Sequence, residues 1–171
     1  SEKEYVRAHD FRRYLHKNLE DFIIETPHKN PLELLNKKFD QSQIKTVQEK
    51  WKPYNFKDQN IDDFLQNLNI DKTVEISSIN GGYSNALKQL NKFIDNGYED
   101  YAKFSSNPSK EASSQLSPYF HSGQISTHEV FEKISNLESW TLESIDPKMV
   151  GRREGWWGST ENFESFMDEL I

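Results

Sequence analysis

Residues 81–97 read GGYSNALKQLNKFIDNG, and the spacing of their apolar side chains decides the fold. Tyr83, Ala86, Leu87, Leu90, Phe93 and Ile94 fall on one side of a 3.6-residue period, while Asn85, Lys88, Gln89, Lys92 and Asp95 fall between them. The pattern predicts an amphipathic helix that opens after Gly81-Gly82 and stops at Asn96-Gly97, where a glycine is the usual terminator.

The same period recurs on both sides. From Glu4 to Ile24 the apolar positions are Ala8, Phe11, Leu15, Leu19, Phe22 and Ile23, and Thr26-Pro27 ends the run. Ser126-Thr127-His128-Glu129 is a capping box that starts a helix carrying Val130, Phe131, Ile134 and Leu137 on one face. The last helix opens at Gly158-Ser159, with Ser159 as N-cap and Glu161 in the first turn, and carries Phe163, Phe166, Met167, Leu170 and Ile171 at the i, i+3, i+4, i+7, i+8 spacing of one face. It stops on Asp168-Glu169-Leu170-Ile171 without a C-terminal signal, so the chain reads as cut in mid-helix. A terminus that frays there is the alternative.

Residues 28–80 are less regular. Pro31 to Phe39 and Ile61 to Leu68 read as short helices, KWKPYNFKDQN (50–60) as a loop carrying aromatic plugs, and Val74-Glu75-Ile76 as connector. With no strand of useful length, the expected fold is all-α: an irregular helical bundle in one domain over residues 1–171. Tyr83, Leu87, Leu90, Phe93, Phe131, Ile134, Phe163, Phe166 and Leu170 form its core.

Composition bounds the function. The 20.2 kDa chain of 171 residues is long enough to bury a core, and eleven Phe, seven Tyr and four Trp supply large rings for it. Cysteine is absent, which excludes disulfides and thiolate metal sites. No apolar run nears the roughly 20 residues of a membrane helix, so a soluble, cytoplasmic protein is expected. A net charge of −7 argues against nucleic-acid binding over the whole surface but not against a local basic face. Arg7, Arg12, Arg13, His16 and Lys17 crowd the first helix. They read either as a solvated face or as a DNA-backbone face.

Chemical signatures are sparse. There is no Walker-type loop, GxGxxG or GxSxG. The five histidines are scattered, and Gly123 interrupts the pair His121 and His128; His121 reads as a satisfied, partly buried core histidine. The exception is SSQLSPYFHSGQIS (113–126). A helical turn starting near Ser113 would offer the hydroxyls of Ser113, Ser114 and Ser117 with free backbone N–H groups, suited to phosphate or polyol oxygens. A capped loop whose hydroxyls satisfy their own backbone is the other reading.

YAKFSSNPSKEASSQLSPYFHSGQIS (101–126) resembles the flavin-binding stretch of the DNA photolyase and cryptochrome family, in which a tyrosine precedes a Thr/Ser-Ser-x-Leu-Ser-Pro-Tyr segment by twelve residues. Tyr101 stands twelve residues before Ser113. The tail looks most like the class II cyclobutane-dimer photolyases. EYVRAHDFRRYLHKNLEDFI (4–23) is similar to the helix opening the family's catalytic half, and GRREGWWGSTENFESFMDELI (151–171) to the helix leading into its Trp/Arg-Arg-Glu-Leu motif. The resemblance covers 81–171 well and 4–24 weakly, while 28–80 does not align.

The resemblance implies FAD as cofactor, with contacts at Tyr101, Ser113, Ser114, Gln115, Leu116 and Ser117. It also implies damaged DNA as partner and light-driven electron transfer from reduced FAD to a flipped-out pyrimidine dimer. It makes the chain the first part of an FAD-binding helical domain, without the family's antenna domain and the second half of its catalytic domain. No catalytic side chain is assigned. The last helix is expected to offer a self-association patch, and the chain alone to hold little FAD.

Two departures stand out. Ser105 replaces an arginine that the family usually places four residues after the tyrosine, and Ser122 replaces a phenylalanine. The first favours a cryptochrome-like light sensor over a repair enzyme; a flavin-free helical interaction module is the third reading.

Overall fold

The computed structural model describes residues 4–24, 26–28, 30, 33, 41–51, 60–75, 77–110 and 112–171. Among these residues every regular element is helical and there is no strand, so the fold is all-α as expected. The chain forms two compact units, one of residues 1–27 with 80–171 and the other of residues 28–79.

The larger unit holds α1 (Ala8–Ile24), α4 (Tyr83–Asn96), α5 (Tyr101–Phe104), α6 (Ser117–His121), α7 (Thr127–Leu137) and α8 (Glu161–Leu170). Its centre is α8, which packs against α5 and α7. Phe163, Phe166 and Met167 of α8, Leu90 and Phe93 of α4, and Val130 and Ile134 of α7 are buried, as the 3.6-residue stripes require. Each large side chain removed from water this way contributes about 1.5–3 kcal/mol.

Several ends differ from the sequence reading. α1 starts at Ala8, where the Arg7 carbonyl accepts from Asp10 and Phe11 N–H and closes the first turn. Within α1, Leu19 is buried while Phe11 and Phe22 are exposed, so its apolar face is narrower than the pattern. The cap of α8 is Thr160 and not Ser159: its extended backbone aims Oγ1 at Phe163 N–H, three residues on, at 3.2 Å. Ser126 caps α7 by accepting from Glu129 N–H at 3.1 Å. The Glu129 carboxylate is turned aside to the Tyr83 hydroxyl at 2.7 Å, and Tyr83, expected in the core, is 51% exposed. α4 stops at Gly97 as read, but with φ −120°, a conformation open to any residue. Its end is closed by Gly97 and Tyr98 N–H groups that both donate to the Phe93 carbonyl.

Residues 138–160 have no long helix, yet they are heavily packed. Trp140, Trp156 and Trp157 are buried, with Trp140 and Trp157 edge-on at 5.5 Å and Trp156 and Trp157 at 4.8 Å. The Trp140 indole N–H donates to the Trp157 carbonyl at 2.7 Å. Gly158, at φ +61°, lets the backbone pass Ser144: a Cβ at 158 would stand 1.9 Å from the Ser144 carbonyl oxygen.

The smaller unit contains α2 (Gln41–Lys50) and α3 (Ile61–Gln66). The sequence reading missed α2, whose Ile44 and Val47 are exposed, as is Trp51 just after it, because its polar composition gives little periodic signal. Asn60 caps α3 through Asp62 N–H at 3.0 Å, matching the expected start at Ile61. The expected helix over 31–39 and most of the 50–60 loop lie outside the described residues. None of this unit's described residues is buried.

Candidate functional site

The candidate site is built along α4. Phe93 meets the Tyr101 ring edge-on at 5.6 Å, and Phe166 meets it at 5.2 Å. Burial, reinforced by the Glu169 carboxylate, pushes the Tyr101 phenol pKa up, so the ring stays neutral. Asn162 of α8 fixes the turn that carries it: its Oδ1 accepts from Ala102 N–H at 2.9 Å and its Nδ2 donates to the Glu99 carbonyl at 2.6 Å.

One turn before Phe93, Gln89 Nε2 donates to the Ser114 carbonyl at 2.9 Å. Positions i and i+4 share a helix face, so Tyr101 and the serine segment are held on the same side of α4. No hydrogen bond joins the two directly among the described residues. Ala112 and Leu116 are the segment's buried anchors, and between them Ser113 and Gln115 are exposed while Ser114 is half-buried. Gln115 has φ +54°, a left-handed conformation that costs a non-glycine residue about 1–2 kcal/mol.

The helical turn expected at Ser113 is not there. Pro118 fixes the start of α6, so the helix opens at Ser117 and residues 113–116 are irregular. Ser114 Oγ accepts from Leu116 N–H at 3.4 Å. Tyr119, buried in α6, donates its hydroxyl to the Asn80 carbonyl at 3.1 Å, and Gln124 Oε1 accepts from Gly82 N–H at 2.7 Å. These two bonds tie the chain that follows the serine segment to the start of α4. His121 is exposed, contrary to its reading as a core histidine, because a five-residue helix that turns Tyr119 inward turns the residue two places on away. Among the described residues, no group of three or more His, Cys, Asp or Glu could hold a metal ion.

The basic face of α1 is only partly solvated. His16 stacks on Trp156, with centroids 3.8 Å apart and planes 10° from parallel, and its Nδ1 accepts from Gly151 N–H at 3.0 Å. Burial first, then the Arg12 charge, lowers the His16 pKa to about 4, consistent with an acceptor nitrogen. Arg12 pairs with Asp168 of α8 at 3.3 Å.

Comparison with known proteins finds similarity to one family of proteins. A deoxyribodipyrimidine photo-lyase from Methanothermobacter thermautotrophicus is 26% identical over 154 residues, 90% of this chain and 30% of that protein. One from Potorous tridactylus is 32% identical over 91 residues, 51% of this chain and 17% of that protein. Cryptochrome-2 of Arabidopsis thaliana is 49% identical over 51 residues, 30% of this chain and 8% of that protein.

The chain is similar to photolyases and cryptochromes over part of their length.

No family model matches it. The chain spans between 8 and 30% of the length of the curated relatives it matches. The longest photo-lyase match necessarily takes in most of residues 28–80, which the sequence reading left unaligned. The positions that reading missed are Gln89 and Asn162. Both are polar residues on amphipathic helices, and single-chain periodicity cannot tell such a side chain from one facing water. No described helix is long and apolar enough to cross a membrane.

Proposed function

We propose that the chain supplies part of the FAD-binding helical domain of a light-driven photolyase that acts on cyclobutane pyrimidine dimers, in the manner of the class II enzymes. The observation that supports this most is the serine segment itself. A loop pinned by Leu116, by Gln89 and by the Tyr119 and Gln124 ties keeps hydroxyls outward where burial would otherwise claim them.

The residues fit the group in chemical type. Ser113 and Ser117 are exposed and Ser114 is half-buried, and among the described residues neither Gln115 nor Ser117 N–H has a partner. Such donors and hydroxyls suit a diphosphate and a ribityl chain. Ser113, Ser114, Gln115, Leu116 and Ser117 would hold these oxygens, and Tyr101 would stiffen the wall behind them. When bound, FAD supplies the light-driven electron transfer. The protein residues bind it, orient it and shield it from water. The DNA carrying the dimer is the partner in this reading.

A cryptochrome-like light sensor is the second reading, favoured by the 49% identity to Cryptochrome-2 and by Ser105. The Ser105 N–H donates to the Tyr101 carbonyl at 2.9 Å, which places its side chain one turn beyond Tyr101 with no cation to offer a phosphate. Dimer-repair assays under light on the complete protein separate the two readings.

FAD titration followed by flavin fluorescence polarisation tests the cradle. The 171-residue chain should bind FAD weakly, and Ser114→Leu or Ser117→Leu should weaken it at least about tenfold, or about 1.4 kcal/mol, with circular dichroism unchanged. Equal affinity in all three proteins would sink the assignment.

A further inference from the structure

Asn-Gly pairs flank α4, Asn80-Gly81 before it and Asn96-Gly97 at its end. An asparagine side-chain amide followed by glycine is open to attack by the next backbone nitrogen, because no Cβ shields that nitrogen and glycine reaches the conformations that ring closure needs. The fold treats the two pairs differently. Asn96 is helical, its Nδ2 donates to the Lys92 carbonyl at 3.0 Å, and the N–H of the buried Gly97 donates to the Phe93 carbonyl at 2.8 Å. Asn80 and Gly81 lie outside any helix and are exposed. Among the described residues neither the Asn80 side chain nor the Gly81 N–H has a hydrogen-bond partner. The peptide that joins them is held by its neighbours all the same: Tyr119 donates its hydroxyl to the Asn80 carbonyl at 3.1 Å, and the Gly81 carbonyl accepts from Asn85 Nδ2 at 2.9 Å.

We propose that Asn80-Gly81 is a self-modifying site, at which the Gly81 nitrogen closes on the Asn80 side chain with Tyr119 as the positioning residue. The Gly81 N–H gives its proton to solvent base, and the Tyr119 hydroxyl steadies the negative charge that this leaves on the Asn80 carbonyl oxygen. The nitrogen then bonds to Asn80 Cγ, the Cγ–Nδ2 bond breaks, and ammonia leaves with a proton taken from water. Water opens the resulting cyclic imide at one carbonyl or the other, giving aspartate or isoaspartate, and nothing is oxidised or reduced. In isoaspartate the main chain runs through the former side chain and is longer by a methylene, while the carbonyl that accepted from Tyr119 becomes a carboxylate outside it. Gly82 is displaced, and its N–H bond to Gln124 Oε1 at 2.7 Å is lost. The modification therefore releases α6 from the start of α4. It lies outside the serine segment and does not rest on the flavin reading.

The test is peptide mass spectrometry of the 171-residue chain aged in mildly alkaline buffer, reading the exchange of NH for O in the peptides that hold Asn80 and Asn96, with isoaspartate counted by enzymatic methylation of its free carboxylate. Asn80 should convert at least about tenfold faster than Asn96, because Gly97 must first give up its helix hydrogen bond. In urea the two rates should converge, since both pairs are then open chain. Tyr119→Phe should slow conversion at Asn80 about fivefold. A merely structural role for Tyr119 predicts the opposite sign, because a looser turn reaches the ring geometry more often. In the isoaspartate form, amide exchange at Ser122, Gly123 and Gln124, whose N–H groups bond back to Pro118, Phe120 and Tyr119, should rise about tenfold while α7 is unchanged. Equal rates at the two pairs in the folded chain, a gap that persists in urea, an equal or faster reaction in Tyr119→Phe, or unchanged exchange at the end of α6 would each overturn the proposal. The comparison of Asn80 with Asn96 is made within the wild-type chain and stands whether or not the tyrosine variant folds.

Discussion

Residues 112–116, with Ser117 at the start of α6, and residues 138–160 both connect helices of the same unit with little regular structure, and they use irregularity in opposite ways. The longer one buries three tryptophans and threads a glycine past the Ser144 carbonyl. The shorter one buries only Ala112 and Leu116 and leaves its hydroxyls outward. The difference teaches where each connector's energy goes. Aromatic burial makes the first a part of the core. The second is anchored at two points and spends only Ser114 on its own backbone, leaving Ser113 and Ser117 exposed, which is the pattern of a loop that can serve a ligand.

The comparison breaks most easily at Gly158. Gly158→Ala puts a Cβ into backbone that cannot retreat like a flexible side chain, at a φ that disfavours it. It should cost about 3 kcal/mol or more, read as a lowered midpoint in urea. A loss below about 1 kcal/mol would show that the tryptophan connector is loosely held.

A smaller effect should follow from pH. The folded pKa of His16 is depressed to about 4 from 6.5, so the unfolded chain binds the extra proton first. Its contribution to stability is therefore complete above about pH 6.5 and lost as pH falls toward 4. With the ring half-buried and screened by solvent, this amounts to about 1 kcal/mol. His16→Phe keeps a ring over Trp156 but cannot titrate, so its stability should fall less than the wild type's between pH 7 and pH 4.5. Parallel pH profiles for the two proteins would refute the latch between α1 and Gly151.

The smallest effect is expected in the serine segment. Ser113→Ala and Ser117→Ala should leave the melting midpoint within the range of ordinary surface changes, about 0.5 kcal/mol. A loss of more than about 1 kcal/mol, seen by calorimetry, would show that these hydroxyls support the fold and would remove the contrast between the connectors.

The helices were legible wherever a stripe of large side chains met a stop. α4, α7 and α8 buried Leu90, Phe93, Val130, Ile134, Phe163 and Phe166 as the period required. Tyr83 escaped because the first turn of a helix lies at the edge of its packing, where a hydroxyl finds Glu129 more readily than the core. The serine segment was legible as a set of hydroxyls, but its shape was not. Pro118 favours the start of a helix beside it, yet it does not say that the residues before it will be irregular and bonded to Gln89.

By itself, the sequence determined an all-α chain, its stripes and caps to within a few residues, and a serine motif that resembles the flavin-binding stretch of photolyases and cryptochromes, because local periodicity and short motifs are properties of neighbouring residues. Only the tertiary structure decided that His16 leaves the basic face to stack on Trp156, that Gln89 and Asn162 position the candidate site, and that Gly151 comes against Arg13. These pairings join residues 25 to about 140 positions apart. Packing in three dimensions sets which of many equivalent polar or aromatic side chains face each other, and no one-dimensional period carries that information.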